Sequence, residues 1–236
     1  MSRSPRGARV LPRSFYDRPT LDVARDLLGK VLVHRTRDGL TAGVIVETEA
    51  YIGERDPACH AAPGPTRRNE PLYGAPGCAY VYFNYGMHCL FNTVTERRGF
   101  PAAVLVRALE PADGEDLMRA RSGRPHVAAH DLCRGPGNLA RALGITLAEN
   151  RHDLTRAGAS GHGLWIEDRG IEVRSVSWTP RIGIRVGTEH AWRCYVDGSA
   201  AVSGRGRSQK EEARSKKQEA RSKKRNDRCS LSPSGF

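Results

Sequence analysis

The stretch from Lys30 to Glu49 constrains the fold of this chain more than any other. Two β-rich runs, Lys30–Thr36 and Leu40–Glu49, are joined across Asp38-Gly39, a dipeptide suited to the tight turn of an antiparallel hairpin. A chain that pairs with itself here is built on an antiparallel sheet. The second run ends in two carboxylates, Glu47 and Glu49, which are therefore held on an ordered strand. Side chains on a strand repeat every two residues, so both project from one face.

The remaining elements extend the same plan. From Pro19, the residues Leu21, Val23, Ala24, Leu27 and Leu28 form a short apolar helical face that stops at Gly29. Residues 53–77 carry several Gly and Pro and little periodicity, which predicts a long loop of the kind that is often functional. A second hairpin is expected from Ala79–Phe83 and Met87–Thr95 around Asn84-Tyr85-Gly86, with Tyr85 at its tip. Ala102–Leu109 is nearly continuous in apolar character and predicts a buried strand. Helices are expected at Asp113–Arg121 and Gly137–Leu143, and strands near Gly163–Val173, Arg181–Val186 and Cys194–Val196. The class is α+β: one domain with a mostly antiparallel curved sheet, packed helices and a protruding hairpin. Residues 1–13 form a mobile basic leader, 14–203 the domain, and 204–236 a basic, disordered tail. The tail repeats EARSKKQ as EARSKKR over residues 212–225. No repeat position carries a core-sized apolar residue, so a solvated tail is expected rather than a coiled coil.

Charge narrows the choice of partners. The formal charge of +12 is concentrated at the C-terminal end, where residues 205–236 hold eleven Lys and Arg against four Asp and Glu. Such a balance favours an anionic partner without choosing between nucleic acid and an acidic membrane surface. Only one of the six lysines, Lys30, precedes residue 205. Lys30 opens an apolar strand and is poorly placed as a catalyst, so a lyase that forms a Schiff base on a lysine amine is not expected. The six cysteines are expected as free thiols in a reducing cytoplasm, because the N-terminal residues lack the apolar core of a signal peptide. No apolar run approaches the roughly 20 residues that span a bilayer.

Between Val46 and Asn92 the residue types converge on one chemistry. Glu47 and Glu49 offer a carboxylate for a water, Tyr73, Tyr80, Tyr82 and Tyr85 offer faces for a flat ring, and Arg67 and Arg68 offer cations for phosphate. An enzyme acting on a base drawn out of a duplex needs this set. Breaking the bond from a purine to deoxyribose passes through an oxocarbenium-like state and calls for a carboxylate that deprotonates water. Spacing alone does not choose between Glu47 and Glu49, and solvated carboxylates at a strand end are the plain alternative. Aromatic residues in strands are usually core. Tyr80 and Tyr82 share a face, whereas Tyr85 at a hairpin tip has no core to enter and suits a wedge filling the gap left by a flipped nucleotide. Arg67 and Arg68 are reasonable phosphate contacts or solvated cations, and Asn92 in isolation is an ordinary strand-end amide. His126-x3-His130 followed by Cys133 has the spacing of helical metal ligands, with Cys59-His60 and His88-Cys89 as further candidates. There is no CxxC, surface histidines are the default, and no metal is expected. Glycines 135, 137 and 144 do not make a GxGxxG fingerprint.

VETEAY (residues 46–51), YVYFNYGMH (80–88) and VLVRALEP (104–111) resemble the alkyladenine (3-methyladenine) DNA glycosylase family, and the resemblance runs from Ser14 to about Ser203. It implies a monofunctional glycosylase that flips and hydrolytically excises damaged purines in base excision repair, leaving an abasic site. By that resemblance Glu49 is the general base, and Arg107 with the backbone carbonyl of Ile182 holds the attacking water. Tyr51, His60 and Tyr82 line the base pocket, Asn92 crowds the exocyclic amino group of guanine, and Tyr85 is the wedge. The family uses no metal or other cofactor. The implied partner is double-stranded DNA carrying a damaged purine, met by a monomer in the bacterial cytoplasm at the nucleoid and not at a membrane. Asn138 stands where the family commonly has lysine, Cys194 replaces a usual aromatic, and the tail has no counterpart. Three other readings compete: a DNA-binding module without catalysis, a metal-dependent nucleoside hydrolase, and a formyl-transferring enzyme. Retention of Glu49, Arg107 and Asn92 argues against the first, and only fold analogy supports the last. The ranking of 3-methyladenine, hypoxanthine and ethenoadenine is left open.

Overall fold

The computed structural model describes residues 7–84, 86, 88–157 and 162–204. Its nine strands are β1 (Arg9–Val10), β2 (Val31–Thr36), β3 (Gly39–Ile52), β4 (Ala79–Asn84), β5 (His88–Val94), β6 (Ala102–Asp113), β7 (Gly163–Asp168), β8 (Val176–Thr179) and β9 (Arg193–Val196). They form one antiparallel sheet in the order β1-β7-β2-β3-β6-β5-β4, with β9 on β3 and β8 on β9. The 14-residue β3 is the axis. Its first half pairs with β2, from Thr36↔Gly39 to Val31↔Val44, and β9 takes over along Glu47–Glu49. β6 pairs with β3 from Ala42 to Ile52, so the carboxylate-bearing end of β3 has a strand on each side.

The two-residue period of the strands sorts the side chains by chemistry. Towards one face, Ala50, Val81, Phe91, Val104 and Val106 are all buried in the main core. Helices cover that face: α2 (Thr20–Asp26) contributes Val23 and Ala24, α3 (Glu115–Ser122) contributes Met118, and α5 (Pro136–Leu143) contributes Leu139, Ala140, Ala142 and Leu143. The short helices α1 (Arg13–Tyr16) and α4 (Ala129–Leu132) add Tyr16 and Leu132. α5 follows the expected punctuation, with Pro136 in its first turn and Gly144 beyond its end at φ 72°. Towards the opposite face, the alternate residues Tyr80, Ala103, Tyr51 and Tyr82 pack with Cys59, Ala61 and Leu72 from the 53–77 segment. Packing fills one side of the sheet, and polar chemistry collects on the other.

Several expectations are modified. The first hairpin turns at Arg37-Asp38, because Gly39 is already paired with Thr36. Arg9 and Val10, assigned to the leader by composition, pair with Asp168 and Glu167 of β7, and helix α1 begins at Arg13. Residues 181–186 are not a strand; the nearby strand is β8, and Gly183 and Gly187 at φ 80° and 64° keep the intervening segment irregular. β7 stops at Asp168, whose side chain accepts from Gly170 N–H and from Lys30 Nζ. The long 53–77 loop contains one 3-10 turn, Glu70–Tyr73. The tail repeat and residues 1–6 of the leader lie outside the described residues. Among the described residues no helix is long and apolar enough to cross a membrane.

Phe91 is fully buried between the sheet and the helical layer. Phe91→Ala is expected to lower unfolding free energy by about 3–5 kcal/mol, read as a reduced urea midpoint at constant m-value.

Candidate active site

Two irregularities in the β3–β6 ladder aim the site. Ile45 pairs with Leu109 and Glu47 with Ala108, while Thr48 pairs with Val106. The register therefore skips Val46 on β3 and Arg107 on β6. A bulge re-aims the residue it leaves unpaired, and Arg107 reaches both carboxylates: its Nε donates to Glu47 Oε1 at 3.1 Å, and its Nη1 lies 3.2 Å from Glu49 Oε2. Arg193 of β9 donates from Nε to the same Glu47 oxygen at 2.6 Å. Glu47 and Glu49 are 0 % exposed, and Arg107 and Arg193 are each 7 % exposed. Burial opposes the charge on Arg107, but the carboxylates of Glu49 and then Glu47 outweigh it and raise its pKa, so it remains a cation.

Glu49 accepts two further hydrogen bonds, from the Tyr51 hydroxyl to Oε2 at 2.8 Å and from Ile182 N–H to Oε1 at 2.7 Å. A carboxylate has about four lone-pair sites, so three donors leave it room for one water. Tyr51, Arg107 and Ile182 are also walls of a cavity of about 390 Å³, within the usual range for small-molecule sites of about 300–1,000 Å³. Glu49 thus stands immediately behind the wall, reached through its own donors. Burial, then Glu49, raises the Tyr51 pKa, and the same causes bring Tyr82 to about 12, so both phenols stay protonated.

The other sequence-predicted residues gather at this cavity. His60, Tyr80, Tyr82 and Asn92 all line it. His60 Nδ1 and the Tyr80 hydroxyl share a 2.8 Å hydrogen bond, and the His60 ring meets Tyr82 edge-on at 4.5 Å. Burial and then the cation of Arg68 lower the His60 pKa, which favours neutral imidazole. Asn92 is paired with Tyr80 across the β4–β5 ladder, and its Nδ2 donates to the Tyr80 carbonyl at 3.0 Å. Arg67 and Arg68 are exposed, with the Arg68 guanidinium 5.8 Å from the centre of the Tyr82 ring. Tyr85 lies outside the described residues; its neighbours Asn84 and His88 close the β4–β5 ladder. Lys30 is paired with Asp168 and is not part of the cavity wall. Among the described residues no group of three His, Cys, Asp or Glu is disposed to hold a metal ion; Cys133 is buried in the core while the His130 side chain is 45 % exposed. Of the two departures, Asn138 donates to the Arg134 carbonyl at 2.7 Å, and Cys194 is a buried free thiol.

Two functional supports were missed in the sequence. Arg181 clamps Asp56 through both nitrogens, Nη1 to Oδ2 at 2.6 Å and Nη2 to Oδ1 at 2.8 Å, and Nη1 also donates to the Ala50 carbonyl. Its guanidinium lies 4.7 Å from the Tyr51 ring and 5.0 Å from Trp192. This clamp ties the segment carrying Ile182 to the 53–58 loop beside Tyr51. Asn69 organises the rest of that loop, donating to the carbonyls of His60 and Gly64 and accepting from Thr66 N–H. Both residues stand in irregular segments: nothing in the Gly- and Pro-rich 53–77 stretch marks Asn69, and the strand-like alternation that follows Arg181 hides its use as a clamp.

Both side chains of the Arg181–Asp56 pair are 0 % exposed. Arg181→Met leaves the Asp56 carboxylate buried without its cation, and is expected to cost about 3–5 kcal/mol of stability, measured by urea unfolding.

Comparison with known proteins shows the family. A family model described as methylpurine-DNA glycosylase matches residues 14–200. A protein of Methanocella arvoryzae named "putative 3-methyladenine DNA glycosylase" is 51% identical over 200 residues, covering 83% of this chain and 96% of the relative. Proteins of the same name from Chlorobium phaeobacteroides and Rubrobacter xylanophilus are 47% identical over 197 residues and 50% over 187. The first covers 83% of this chain and 96% of its own, the second 77% and 94%. Every motif that carried the resemblance lies within the matched span, and the chain belongs to the methylpurine-DNA glycosylase family.

Proposed function

We propose that this chain is a monofunctional DNA glycosylase that hydrolyses the N-glycosidic bond of alkylated purines flipped out of duplex DNA, with Glu49 as the general base. The observation that carries the proposal is a buried carboxylate, oriented by three donors, directly behind the wall of an aromatic cavity. Tyr51, His60 and Tyr82 receive the base, and electron-rich ring faces favour a cationic purine by roughly 0.5–2 kcal/mol. The Tyr51 hydroxyl exchanges its bond to Glu49 for one to an entering water. Glu49 then takes a proton from that water as its oxygen bonds to C1′. The C1′–N bond breaks and its electron pair leaves with the base. A 3-methyladenine that is cationic in DNA departs neutral, so the step needs no separate proton donor.

Arg107 orients Glu49 and balances its charge. Ile182 donates its amide N–H to Glu49, and its carbonyl, with Arg107, holds the attacking water as the resemblance implies. Asn92, fixed by its bond to Tyr80, crowds the position of a guanine amino group. Tyr85 fills the vacated stack, and Arg67 and Arg68 meet phosphates beside the site. The protein acts as a monomer on duplex DNA in the cytoplasm.

Glu49→Gln preserves shape but cannot accept the proton. It is expected to lower single-turnover excision of 3-methyladenine from a lesion duplex by about 10²–10⁴-fold, with binding changed by only a few fold. Retained excision would sink the assignment of the base.

The product is expected to be an intact strand with an abasic site, because Lys30, the one lysine before residue 205, is paired with Asp168 and does not line the cavity. A gel run with and without alkali reads this directly. Strand breaks before alkali, together with a borohydride-trapped adduct, would overturn it.

A further inference from the structure

Glu47 has no part in the proposed reaction, yet it is as deeply buried as Glu49 and shares the same arginine. Its Oε1 accepts from Arg107 Nε at 3.1 Å and from Arg193 Nε at 2.6 Å. Arg193 is itself fixed, since its Nη1 donates to Thr179 Oγ1 at 2.9 Å and its guanidinium lies 4.6 Å from the Tyr195 ring. A second carboxylate beside the base is a liability, because two anions compete for one cation. Arg193 removes that liability by giving Glu47 a cation of its own.

We infer that Glu47 and Arg193 are positioning residues that set how much of the Arg107 charge is available to Glu49, and thereby the pH at which the base becomes active. The inference rests on Glu49 being the base. Glu47 holds the Nε edge of Arg107, leaving Nη1 directed at Glu49. Two carboxylates and two guanidiniums then form a neutral buried chain that runs from β9 through β3 to β6. The groups around Glu49 come from every neighbouring element: Tyr51 and Glu47 on β3, Arg107 on β6, Tyr82 on β4, Arg193 on β9 through Glu47, and Arg181 from the irregular segment.

The sign of each charge deletion follows. Arg193→Gln leaves Glu47 short of a cation, draws Arg107 towards it and disfavours ionised Glu49, so the acid limb of the pH profile moves up. Glu47→Gln frees Arg107 for Glu49, so the limb moves down. A directly paired charge shifts a neighbour by about 1–3 pH units, and one contact removed the expected displacement is about half a unit to one unit. In the double variant, Glu47→Gln with Arg193→Gln, the charges cancel and the limb returns towards the native position.

Single-turnover excision of 3-methyladenine at saturating enzyme is measured against pH for the native protein, the two single variants, the double variant and Arg193→Lys. Opposite displacements in the single variants, with the return in the double variant and a near-native limb for Arg193→Lys, support the inference. Packing damage alone lowers the plateau in each variant and leaves the limb in place, and that result overturns it. If Arg193→Gln does not fold, Glu47→Gln decides by itself: a limb unmoved or moved upwards overturns the inference. Glu49→Gln is run alongside. Activity in that variant refutes the base assignment, whereas an inactive Glu49→Gln with unmoved limbs refutes only the role of Glu47 and Arg193.

Discussion

Arg107, buried between Glu47 and Glu49, is the interaction on which the rest of the site depends. A guanidinium inside a sheet is costly to desolvate, and its carboxylates repay that cost only if geometry and hydrogen bonding are good. The fold meets this condition with two successive breaks in the β3–β6 register and with β9 laid along the part of β3 that β2 leaves unpaired. Regular pairing would put Arg107 in the ladder opposite a residue of β3, without the unpaired position that frees its direction. Apolar replacements of similar volume commonly match or exceed the stability of such ionic sets.

The division of labour between the two sheet faces explains how a small domain tolerates this cost. The helical face holds Phe91, Val104, Val106 and the apolar sides of α2 and α5, with little polar intrusion. Opposite it, β3, β4, β5, β6 and β9 contribute the polar and aromatic side chains of the candidate site, and residues of the irregular 53–77 and 180–187 segments line the cavity with them. Irregular backbone carries unpaired polar groups of its own. Asn69 and Arg181 satisfy several of these and set the loops at the same time, which holds Ile182 N–H against Glu49.

Legibility in the sequence followed regularity. The strands of both hairpins, the buried strand at Ala102–Leu109 and the helix expected at Gly137–Leu143 have clear periods or terminal signals and are present, with the first turn shifted one residue to Arg37-Asp38, β6 running on to Asp113 and the helix starting at Pro136. The same period correctly put Glu47 and Glu49 on one face and Tyr80 with Tyr82 on another strand's matching face. Arg181 illustrates what was hidden. Its neighbours Ile182, Ile184 and Val186 alternate like a strand, but the fold uses Arg181 as a buried clamp and bends the chain at Gly183 and Gly187. The bulge at Arg107 was equally unmarked, since nothing in VLVRALEP distinguishes a skipped residue from a paired one. The preference between Glu47 and Glu49 came from family resemblance alone. Their surroundings differ: Glu49 is bonded to three residues that wall the cavity, Tyr51, Arg107 and Ile182, whereas Glu47 shares Arg107 with it and is bonded to Arg193.

The pairing of β9 with β3 has a consequence for how the protein comes into being. Glu47 and Arg193 are 146 positions apart in the chain and touch through a 2.6 Å bond. Contacts between such distant positions form late, after the loop between them has been closed. During synthesis the hairpin β2–β3 emerges early with its two acids and no arginine of either kind. Arg107 arrives next, and Arg193 only when nearly the whole domain has left the ribosome. The two buried carboxylates of β3 therefore acquire their full set of arginines only once β9 has joined the sheet.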